Sequence, residues 1–469
     1  MAAARVVVVG GGISGLAAAW ELTGGAQPRP DAPHVTVLEA GVRLGGALRS
    51  DELGGRPVDV GPDGFLGRRP EAVELCRDVG LEDALVPIAA RGASVWARGR
   101  LRALPDKLAL GIPTAFWPTA RSGVLGPRGQ LGLARDALVP RPDVRGPMGD
   151  RSVGPLVARK LGRRVVDVLV DPLIGGIHAG SVDDMSAAAV FPPLLAAAQR
   201  RGGLMRALRA EVPAPNPDGP PLFWALHGGM ASLVASLATA LESRGVDLAR
   251  SAPVECLGRA GPGWDASVGG VTHRADGVVL AVPAPAASRL LRPHDDEAAG
   301  LLDTIDYAAV TVATFRVAAD DVPESLFGTG FLVPRRSAHP GREPWAVTAC
   351  TFLDRKWPHL AREGEVLLRV SLGRIDDVRA EALTDPEVLD RAWEELTALL
   401  GVRGQPLEGT VVRWPDGLPQ YRVHHLLRTA GVEAAIARLG GLAVAGAAYH
   451  GVGIPACIAS GRAAARALL

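Results

Sequence analysis

The chain has 469 residues, which is enough for two or three domains around a large core. Its 51 Lys and Arg residues almost balance its 50 Asp and Glu residues, so charge gives no reason to expect a nucleic acid as partner. The uncharged stretch 441–460 is long enough to cross a membrane, but its glycines, Pro455 and His450 favour a buried turn region. The four cysteines form no C-x-x-C pair, as is usual in a reducing compartment. We therefore expect a cytoplasmic protein without a membrane span or a metal site.

The N-terminal stretch predicts the first part of a dinucleotide-binding unit. A β-branched apolar run at 6–9 leads into a glycine turn, and a helical pattern follows the turn. Gly10, Gly12 and Gly15 have the G-x-G-x-x-G spacing. In such a unit the first glycine permits the tight turn, the second lets the backbone approach a pyrophosphate, and the third lets the helix pack close to the strand. The helix N-terminus adds free N–H groups and the positive end of the helix dipole.

The next stretch supplies the second strand of this unit. Residues 34–38 predict a strand that ends in Glu39, a carboxylate in the position that binds a ribose hydroxyl. Gly45 and Gly46 follow as a second pair of close-approach glycines. The N-terminal stretch has two other interpretations: a buried strand with a glycine turn and no ligand, or a secretory signal peptide. The signal peptide is disfavoured because glycines and Glu21 interrupt the apolar run and no convincing cleavage site follows.

The middle of the chain differs in character from the N-terminal unit. Residues 108–201 are rich in Pro and Arg and carry several helical patterns, of which the clearest is 155–169. The basic residues of that segment indicate either an amphipathic helix that contacts a membrane surface or a partner, or an ordinary solvated face. The glycine-containing segment 171–180 predicts a loop whose backbone comes close to another group.

Strand and helix patterns over the rest of the chain predict an α/β fold of three parts. Strands are predicted at 254–257, 271–273, 277–282, 306–317, 331–333, 345–352 and 366–372, and helices at 70–79, 226–242 and 386–400. We expect a discontinuous Rossmann-like nucleotide-binding domain at 1–90, 225–300 and 410–469, a mostly helical inserted domain at 108–205, and a strand-rich substrate domain at 301–409 with about 91–107 and 206–224.

The C-terminal stretch indicates which dinucleotide is bound. Residues 442–446 predict a buried strand, 447–455 a tight turn, and 456–469 a closing helix with Pro455 at its start. A second strand–turn–helix unit so far from the first suits a long cofactor that is held at both ends. One helix N-terminus binds the pyrophosphate, and the other faces the redox ring and favours negative charge there. This arrangement points to FAD more than to NAD.

Several motifs together resemble the protoporphyrinogen and coproporphyrinogen III oxidases, FAD-dependent members of the amine oxidase-like flavoprotein superfamily. The matching stretches are the turn 10–15 with Glu39-Ala40 and Gly45-Gly46, DVGPDGFL at 59–66, PLIGGIHAG at 172–180 and YHGVGIPACI at 449–458. The second is similar to the family's D-x-G-P-D-S-F-L, the third to its substrate-site loop and the fourth to its C-terminal flavin motif. The resemblance runs through the whole chain in the same order. The chain departs from it at Gly64, where Ser is usual, and at Ala47, where a basic residue often stands.

The resemblance implies a set of site residues. The FAD contacts would be Gly10, Gly11, Gly12, Ile13, Ser14, Gly15, Glu39, Ala40, Arg43, Gly45, Gly46, Gly61, Pro62, Asp63, Gly64, Val254, Trp414, Val452, Gly453 and Ile454. Val254 is expected near the adenine and Trp414 near the flavin, with a plain strand residue and a core aromatic as their alternatives. Arg68 or Arg69 is a candidate partner of a substrate propionate, with a solvated turn as the alternative, and Ile177 is a candidate wall residue against the macrocycle. We predict no general base.

The resemblance also implies a reaction, the oxidation of a porphyrinogen to a porphyrin in haem biosynthesis. The flavin takes hydride from a meso carbon of the substrate, and O₂ reoxidises the flavin and gives H₂O₂. The Arg-rich, Lys-poor composition suggests a GC-rich bacterial genome and, with no membrane span predicted, favours coproporphyrinogen III over protoporphyrinogen IX. We expect a porphyrinogen and O₂ as partners, with possible transfer of the product to a downstream chelatase and possible peripheral membrane contact.

Other functions stay open at this stage. After protoporphyrinogen IX oxidase, the alternatives are a flavin amine oxidase, a flavin desaturase of polyenes, and a non-catalytic porphyrin carrier that keeps FAD for structure. Amine oxidases commonly use a lysine near the flavin and an aromatic cage, and this chain has only three lysines and three tyrosines. Reduction of the flavin by substrate in the absence of oxygen would exclude the carrier.

Overall fold

The computed structural model describes residues 4–138, 149–212, 219–338 and 343–469. The helices are α1 (Ile13–Leu22), α2 (Pro70–Asp78), α3 (Phe116–Arg121), α4 (Gly126–Leu138), α5 (Val153–Leu161), α6 (Arg163–Val165), α7 (Gly176–His178), α8 (Ala187–Val190), α9 (Pro192–Gln199), α10 (Leu204–Glu211), α11 (Met230–Glu242), α12 (Ala284–Leu291), α13 (Asp296–Asp303), α14 (Leu353–Lys356), α15 (Asp385–Leu400), α16 (His425–Leu439) and α17 (Ile454–Arg466). A π-helix spans Val166–Gly175, and short 3₁₀ turns span Glu82–Ala84, Ala319–Asp321, Pro358–Leu360 and Arg379–Ala382.

The strands form sheets of two to seven members. They are β1 (Arg5–Val9), β2 (His34–Leu38), β3 (Ser50–Glu52), β4 (Pro57–Asp59), β5 (Phe65–Leu66), β6 (Leu85–Pro87), β7 (Ser94–Ala97), β8 (Arg100–Ala103), β9 (Leu108–Ala109), β10 (Ile112–Pro113), β11 (Phe223–Leu226), β12 (Asp247–Ala249), β13 (Cys256–Ala260), β14 (Gly263–Val268), β15 (Val271–Ala275), β16 (Gly277–Leu280), β17 (Tyr307–Ala318), β18 (Gly330–Leu332), β19 (Val347–Phe352), β20 (Glu365–Leu372), β21 (Glu408–Pro419) and β22 (Leu442–Val444).

A parallel sheet of order β12-β2-β1-β16-β22 forms the centre of the nucleotide-binding part. The central strand β1 is buried on both faces, as its uninterrupted valines require. Val6 and Val8 pack into the cluster that includes α1, α11 and α17, and Val7 and Val9 pack into the cluster that includes α12 and α16. The sheet therefore carries helices on both faces, and the predicted α/β fold is confirmed.

The second large sheet has seven strands in the order β21-β17-β20-β19-β18-β7-β8. Helix α15 packs on it and closes its core, and a capping box of Thr384 and Glu387 starts this helix. The predicted domain boundary at 410 falls inside β21. This strand pairs with β17 from Glu408 to Pro419. The C-terminal segment of the nucleotide-binding part therefore begins after Pro419 and not at 410.

The described parts of the region predicted at 206–224, which are 206–212 and 219–224, do not join the seven-stranded sheet. Helix α10 packs into the core of the helical part through Leu204, Met205 and Leu208. Strand β11 pairs with β5 and β6, which belong to the nucleotide-binding part. Helix α10 and strand β11 therefore pack with other parts of the molecule than the predicted substrate domain, because their buried apolar residues face other cores. The rest of the domain division stays a prediction.

The helical part differs from the sequence prediction at two points. The helix predicted at 155–169 is interrupted at Gly162, whose φ of +91° ends α5 before a new helical segment begins. The loop predicted at 171–180 is mostly helical, because the π-helix continues to Gly175 and is followed by α7. Pro172 lies inside the π-helix. Within the described ranges, no helix is both long and apolar enough to cross a bilayer.

Candidate cofactor site

Different physical constraints explain why glycine stands at each of the three motif positions of the first turn. A Cβ on Gly10, whose φ is +107°, would lie 2.4 Å from the carbonyl oxygen of Ala281. A Cβ on Gly15 would lie 1.9 Å from the carbonyl oxygen of Gly10. Gly12 has an ordinary φ of −69°, and a Cβ there would meet only the Cα of Gly46 at 3.9 Å. Packing explains Gly10 and Gly15, whereas the space beside Gly12 is open and suits the close approach of a phosphate.

Two of the helices that have a glycine at the N-cap begin at predicted cofactor residues. Gly12 caps α1 and Gly453 caps α17, and neither cap accepts a hydrogen bond through a side chain. A Cβ on Gly453 would meet only the Cδ of Pro455 at 3.9 Å, so this end is open as well. Bare N–H groups and the positive end of the dipole make each terminus suitable for an anion or an electron-rich ring.

Helices α1 and α17 run side by side in the same direction. The middle of α17 meets the start of α1, where a Cβ on Gly461 would lie 2.0 Å from the carbonyl oxygen of Ser14. Near their ends, Arg466 Nε donates to Glu21 Oε1 at 2.6 Å. Gly461 is the eighth residue of α17 and Ser14 the second of α1, so α17 begins about six residues, or ~9 Å, beyond the start of α1. The two open N-termini are thus staggered, as an extended dinucleotide requires.

Glu39 joins the glycine turn to the loops that follow β2 and β12. Its Oε2 accepts a hydrogen bond from the N–H of Gly11 at 2.7 Å, and its Oε1 accepts one from the N–H of Gly41 at 2.7 Å. Its backbone exchanges hydrogen bonds with Ala249 and Ala252. Val254 follows this bonded segment and lies before β13, not inside the predicted strand. Val254, the predicted adenine contact, therefore stands two residues after Ala252, which is hydrogen-bonded to Glu39, the predicted ribose contact.

The second glycine pair packs against the first turn. The N–H of Gly45 donates to the carbonyl oxygen of Gly11 at 2.8 Å, and a Cβ on Gly46 would lie 3.3 Å from the Cα of Gly12. Arg43 donates to the carbonyl oxygen of Gly46 at 2.6 Å. The three predicted contacts of this loop therefore lie at the turn, as expected from a shared site. Ile13, Ser14 and Ala40 adjoin them in the chain.

Trp414 connects the seven-stranded sheet to the site. Its Nε1 donates to the carbonyl oxygen of Val60 at 3.1 Å, and its ring centroid lies 5.9 Å from the guanidinium carbon of Arg43. A Cβ on Gly61 would lie 2.1 Å from the carbonyl oxygen of Ala47 and 3.6 Å from the Trp414 ring. The glycine at 61 is therefore required by packing, and residues from three distant stretches meet here. Pro62 continues this backbone.

Asp63 lies at the centre of a buried charge cluster that the sequence analysis missed. Its Oδ2 accepts hydrogen bonds from Lys356 Nζ and Trp357 Nε1, each at 2.9 Å, and its Oδ1 lies 3.1 Å from Arg369 Nη2. Burial by itself raises the pKa of the Asp63 carboxyl, but Arg369 and Lys356 outweigh it and hold the pKa well below its usual range. Arg369 also donates to the carbonyl oxygen of Gly61 at 3.0 Å. Asp63 therefore positions the Gly61-Pro62 backbone with its side chain facing inward.

The same cluster explains why glycine stands at position 64. A Cβ on Gly64 would lie 2.7 Å from both the carbonyl oxygen of Trp224 and the Cζ2 of Trp357. Trp357 is 1% exposed and is fixed by its hydrogen bond to Asp63, so its ring cannot move aside. The indole ring of Trp357 occupies the space that a serine side chain at position 64 would need, so glycine fits here in place of the usual serine.

Replacing Gly64 with serine is therefore expected to lower the free energy of unfolding by about 1–3 kcal/mol, the usual cost of overpacking a core. Urea denaturation of the purified variant measures this loss. Gly300→Ser is the matched control, since Gly300 lies in helix α13 and a Cβ there meets nothing within 4 Å. Equal stability of Gly64→Ser and the parent protein would contradict the packing argument.

Between described residues, no hydrogen bond or ion pair connects the predicted substrate arginines, Arg68 and Arg69, to the predicted cofactor residues. Arg69 pairs with Glu71 at 2.7 Å on the surface, and this hydrogen bond raises the pKa of Arg69. Arg68 is exposed. Ile177 is 49% exposed on α7, so its side chain is open to a ligand, while the neighbouring His178 is 7% exposed. The roles of these residues stay predictions.

The parallel sheet, the open glycine at the first turn, the Glu39 carboxylate beside that turn and the second open helix N-terminus are typical of a dinucleotide-binding flavoprotein. Residues 13–469 match the family of flavin containing amine oxidoreductases, and the chain belongs to this family. It is a flavin-containing oxidoreductase, and the prediction of a flavin cofactor, FAD, is confirmed.

Several relatives match the chain over its whole length. The chain is 31% identical to coproporphyrinogen III oxidase of Bacillus subtilis (strain 168), over 98% of this chain and 97% of the relative. It is 35% identical to coproporphyrinogen III oxidase of Mycobacterium tuberculosis (strain ATCC 25618 / H37Rv), over 97% and 95%. It is 32% identical to protoporphyrinogen oxidase of Macaca fascicularis, over 99% and 98%. These matches confirm the resemblance to the porphyrinogen oxidases.

The fold is shared with solved structures. A structure from Exiguobacterium sp. 255-15, named provisionally as a protoporphyrinogen oxidase, superposes with a TM-score of 0.87 at 31% identity and covers 100% of this chain and 99% of its own. Cyclohexylamine oxidase from Brevibacterium oxydans IH-35A superposes with a TM-score of 0.67 at 18% identity, covering 100% of this chain and 99% of its own. At that identity the second likeness shows the fold alone.

Proposed function

We propose that the chain is an FAD-dependent oxidase that converts coproporphyrinogen III to coproporphyrin III in haem biosynthesis, with O₂ as electron acceptor and H₂O₂ as product. The observation that carries the proposal is its full-length similarity to coproporphyrinogen III oxidases from several bacteria. The geometry of the cofactor site supports it, because one open helix N-terminus would suit the pyrophosphate of FAD and a second would suit the flavin ring.

The chain's own residues fit the cofactor in separate places. When bound, FAD supplies the acceptor for hydride from the substrate and the route of electrons to O₂. The open space at Gly12 would admit the pyrophosphate. Each carboxylate oxygen of Glu39 accepts one backbone N–H bond, from Gly11 or Gly41, and would use its second lone pair to accept a hydrogen bond from the ribose. The N-terminus of α17, with Val452, Gly453 and Ile454, would face the ring and stabilise negative charge there.

Among the described residues we assign no general base. His178 adjoins Ile177, but burial, with a smaller contribution from His425, lowers its pKa to about 4, so the ring is neutral at pH 7. It is almost fully enclosed, and its Nδ1 has no hydrogen-bond partner. His450 is exposed and pairs with Glu433 at 2.5 Å. We infer that the enzyme acts by orienting the substrate, excluding water and biasing the charge at the flavin.

The proposal is tested by porphyrin fluorescence over time in air, with coproporphyrinogen III and protoporphyrinogen IX supplied in parallel. We expect coproporphyrin to form several times faster than protoporphyrin, and faster than in samples without protein. Anaerobic bleaching of the flavin by the substrate is the control against a carrier function. No porphyrin above the spontaneous rate with either substrate would overturn the proposal.

Protoporphyrinogen IX oxidation is the second candidate. It is favoured by the 32% identity to protoporphyrinogen oxidase of Macaca fascicularis over 99% of this chain. The two candidates share the cofactor site and differ in the number of substrate carboxylates, four against two. Faster turnover of protoporphyrinogen in the parallel assay would select it.

We propose a cytoplasmic location with transfer of the porphyrin to a downstream chelatase. The basic segment at 155–169 gives little support to a membrane contact. Arg163 is paired with Asp167 and Asp183, each at 2.7 Å, and Arg159 and Lys160 have partners too. These pairs favour the ordinary solvated face over a surface that attracts anionic lipids.

A further inference from the structure

Two buried residues follow strand β21 and contact two different parts of the chain. Gln420 is 5% exposed and Tyr421 is 3% exposed. Gln420 Nε2 donates to the carbonyl oxygen of His178 at 2.8 Å, and its Oε1 lies 2.1 Å from where a Cβ of Gly180 would be. Gln420 therefore holds the end of the helical segment that carries Ile177, and it makes glycine necessary at position 180.

Tyr421 holds the turn that precedes helix α17. Its hydroxyl donates to the carbonyl oxygen of Ala447 and accepts a hydrogen bond from the N–H of Gly451 at 2.8 Å. Both partners belong to the turn between β22 and α17, and Gly453, two residues after Gly451, is the cap of that helix. The hydroxyl uses its one proton and accepts one bond, so it closes the turn on both sides.

The ring of Tyr421 is fixed as firmly as its hydroxyl. It stacks on the ring of His425, with centroids 3.9 Å apart and planes at 15°. His425 Nε2 is in turn hydrogen-bonded to the carbonyl oxygen of Tyr449 at 3.1 Å. The His178 ring lies on the helical side, 5.7 Å from the Tyr421 ring. A single rigid unit thus spans the gap between the helical part and the C-terminal turn.

We propose that Gln420 and Tyr421 are positioning residues that set the flavin turn and the substrate wall in one fixed arrangement. Tyr421 aims the N-terminus of α17 at the flavin ring, and Gln420 sets the helix that presents Ile177. The part of the proposal that concerns Tyr421 rests on FAD, which the family supplies, and on the proposed placement of the flavin ring at the start of α17. The Gln420 half rests on the proposed function, because it concerns the porphyrinogen.

Tyr449 provides a matched control for Tyr421. It lies in the same turn and is 1% exposed, and its hydroxyl has no hydrogen-bond partner within the described parts of the chain. Tyr421→Phe leaves the Gly451 N–H and the Ala447 carbonyl unpaired in a buried place, whereas Tyr449→Phe removes no hydrogen bond. The two variants therefore make the same chemical change with different consequences for the turn.

The first experiment titrates each apoprotein with FAD and records flavin fluorescence and the visible absorption band. We expect Tyr421→Phe to bind FAD about tenfold more weakly, with an altered visible band, as the loss of buried hydrogen bonds implies. Tyr449→Phe should match the parent protein. Melting temperatures of the apoproteins separate this effect from a general loss of stability. Unchanged FAD affinity and absorption in a folded Tyr421→Phe, or equal losses in both variants, would overturn the proposal.

The second experiment uses Gln420→Met, which keeps the length of the side chain and removes its bond to the His178 carbonyl. We expect the KM for coproporphyrinogen to rise severalfold while FAD affinity stays at the parental value. A parental KM would contradict the Gln420 half, and a loss of FAD affinity equal to that of Tyr421→Phe would contradict the division of roles. If the parent protein oxidises neither porphyrinogen, the proposed function fails, and the FAD titration still decides the Tyr421 half.

Discussion

A Gly12→Val protein is expected to fold and to lose FAD, with at least a hundredfold weaker binding than the parent. The φ of −69° and ψ of 173° at Gly12 are ordinary for any residue, and a Cβ there has free space. The valine side chain would occupy the volume into which the pyrophosphate must come. Valine is also a poorer helix cap than glycine, which costs well under ~2 kcal/mol of stability.

The ratio of flavin to protein absorbance in the purified variant measures this loss, and circular dichroism checks the fold. Gly10→Val is the informative comparison. Its Cβ would lie 2.4 Å from the carbonyl oxygen of Ala281 at a φ of +107°, so this variant should fail to fold and not merely fail to bind. A yellow Gly12→Val protein with the normal FAD content would falsify the site assignment.

Replacing Asp63 with alanine is expected to reduce the free energy of unfolding of the FAD-bound protein by about 3–5 kcal/mol, the usual cost of leaving buried partners unpaired. The change leaves Lys356 Nζ, Trp357 Nε1 and one Arg369 nitrogen without their acceptor. Urea denaturation at saturating FAD measures the loss. Lys356→Met in the same background should recover part of it, because it removes one of the stranded charges. Full stability of Asp63→Ala would contradict the role assigned to the cluster.

The pH dependence of this effect has a defined sign. The native pKa of Asp63 lies below the ordinary value of about 3.9, so the unfolded state takes up the proton first as the pH falls. The stabilisation is therefore complete above about pH 4–5 and declines in stronger acid. Burial raises the pKa of Asp59 to about 6 and the Asp63 charge adds to this rise, so removing that charge also shifts the titration of Asp59 below about pH 7. We therefore expect the difference in stability between the parent protein and Asp63→Asn to stay constant from pH 7 to pH 8. A difference that changed across this window would show that other titrating groups dominate.

The first turn shows how far local sequence determines the site. A run of valines, the glycine spacing and the following helical pattern are sufficient to predict β1, α1 and the position of the phosphate. Glu39 and the C-terminal turn follow by the same reasoning. The strand, the helix and both turns depend on neighbours within a few residues, and Glu39 is found because it ends the second strand of a unit with a known order of elements.

Tertiary structure decided the rest, because the deciding contacts join residues far apart in the chain. Asp63 meets Lys356, 293 positions away, and nothing in its local sequence indicates this partner. The interruption at Gly162, the π-helix and the membership of β21 in the seven-stranded sheet also depend on packing that no local period encodes. The sequence by itself determined the class of cofactor, and it predicts where that cofactor binds. Only the fold decided which glycines serve packing and which leave space, since this depends on the atoms that a Cβ would meet.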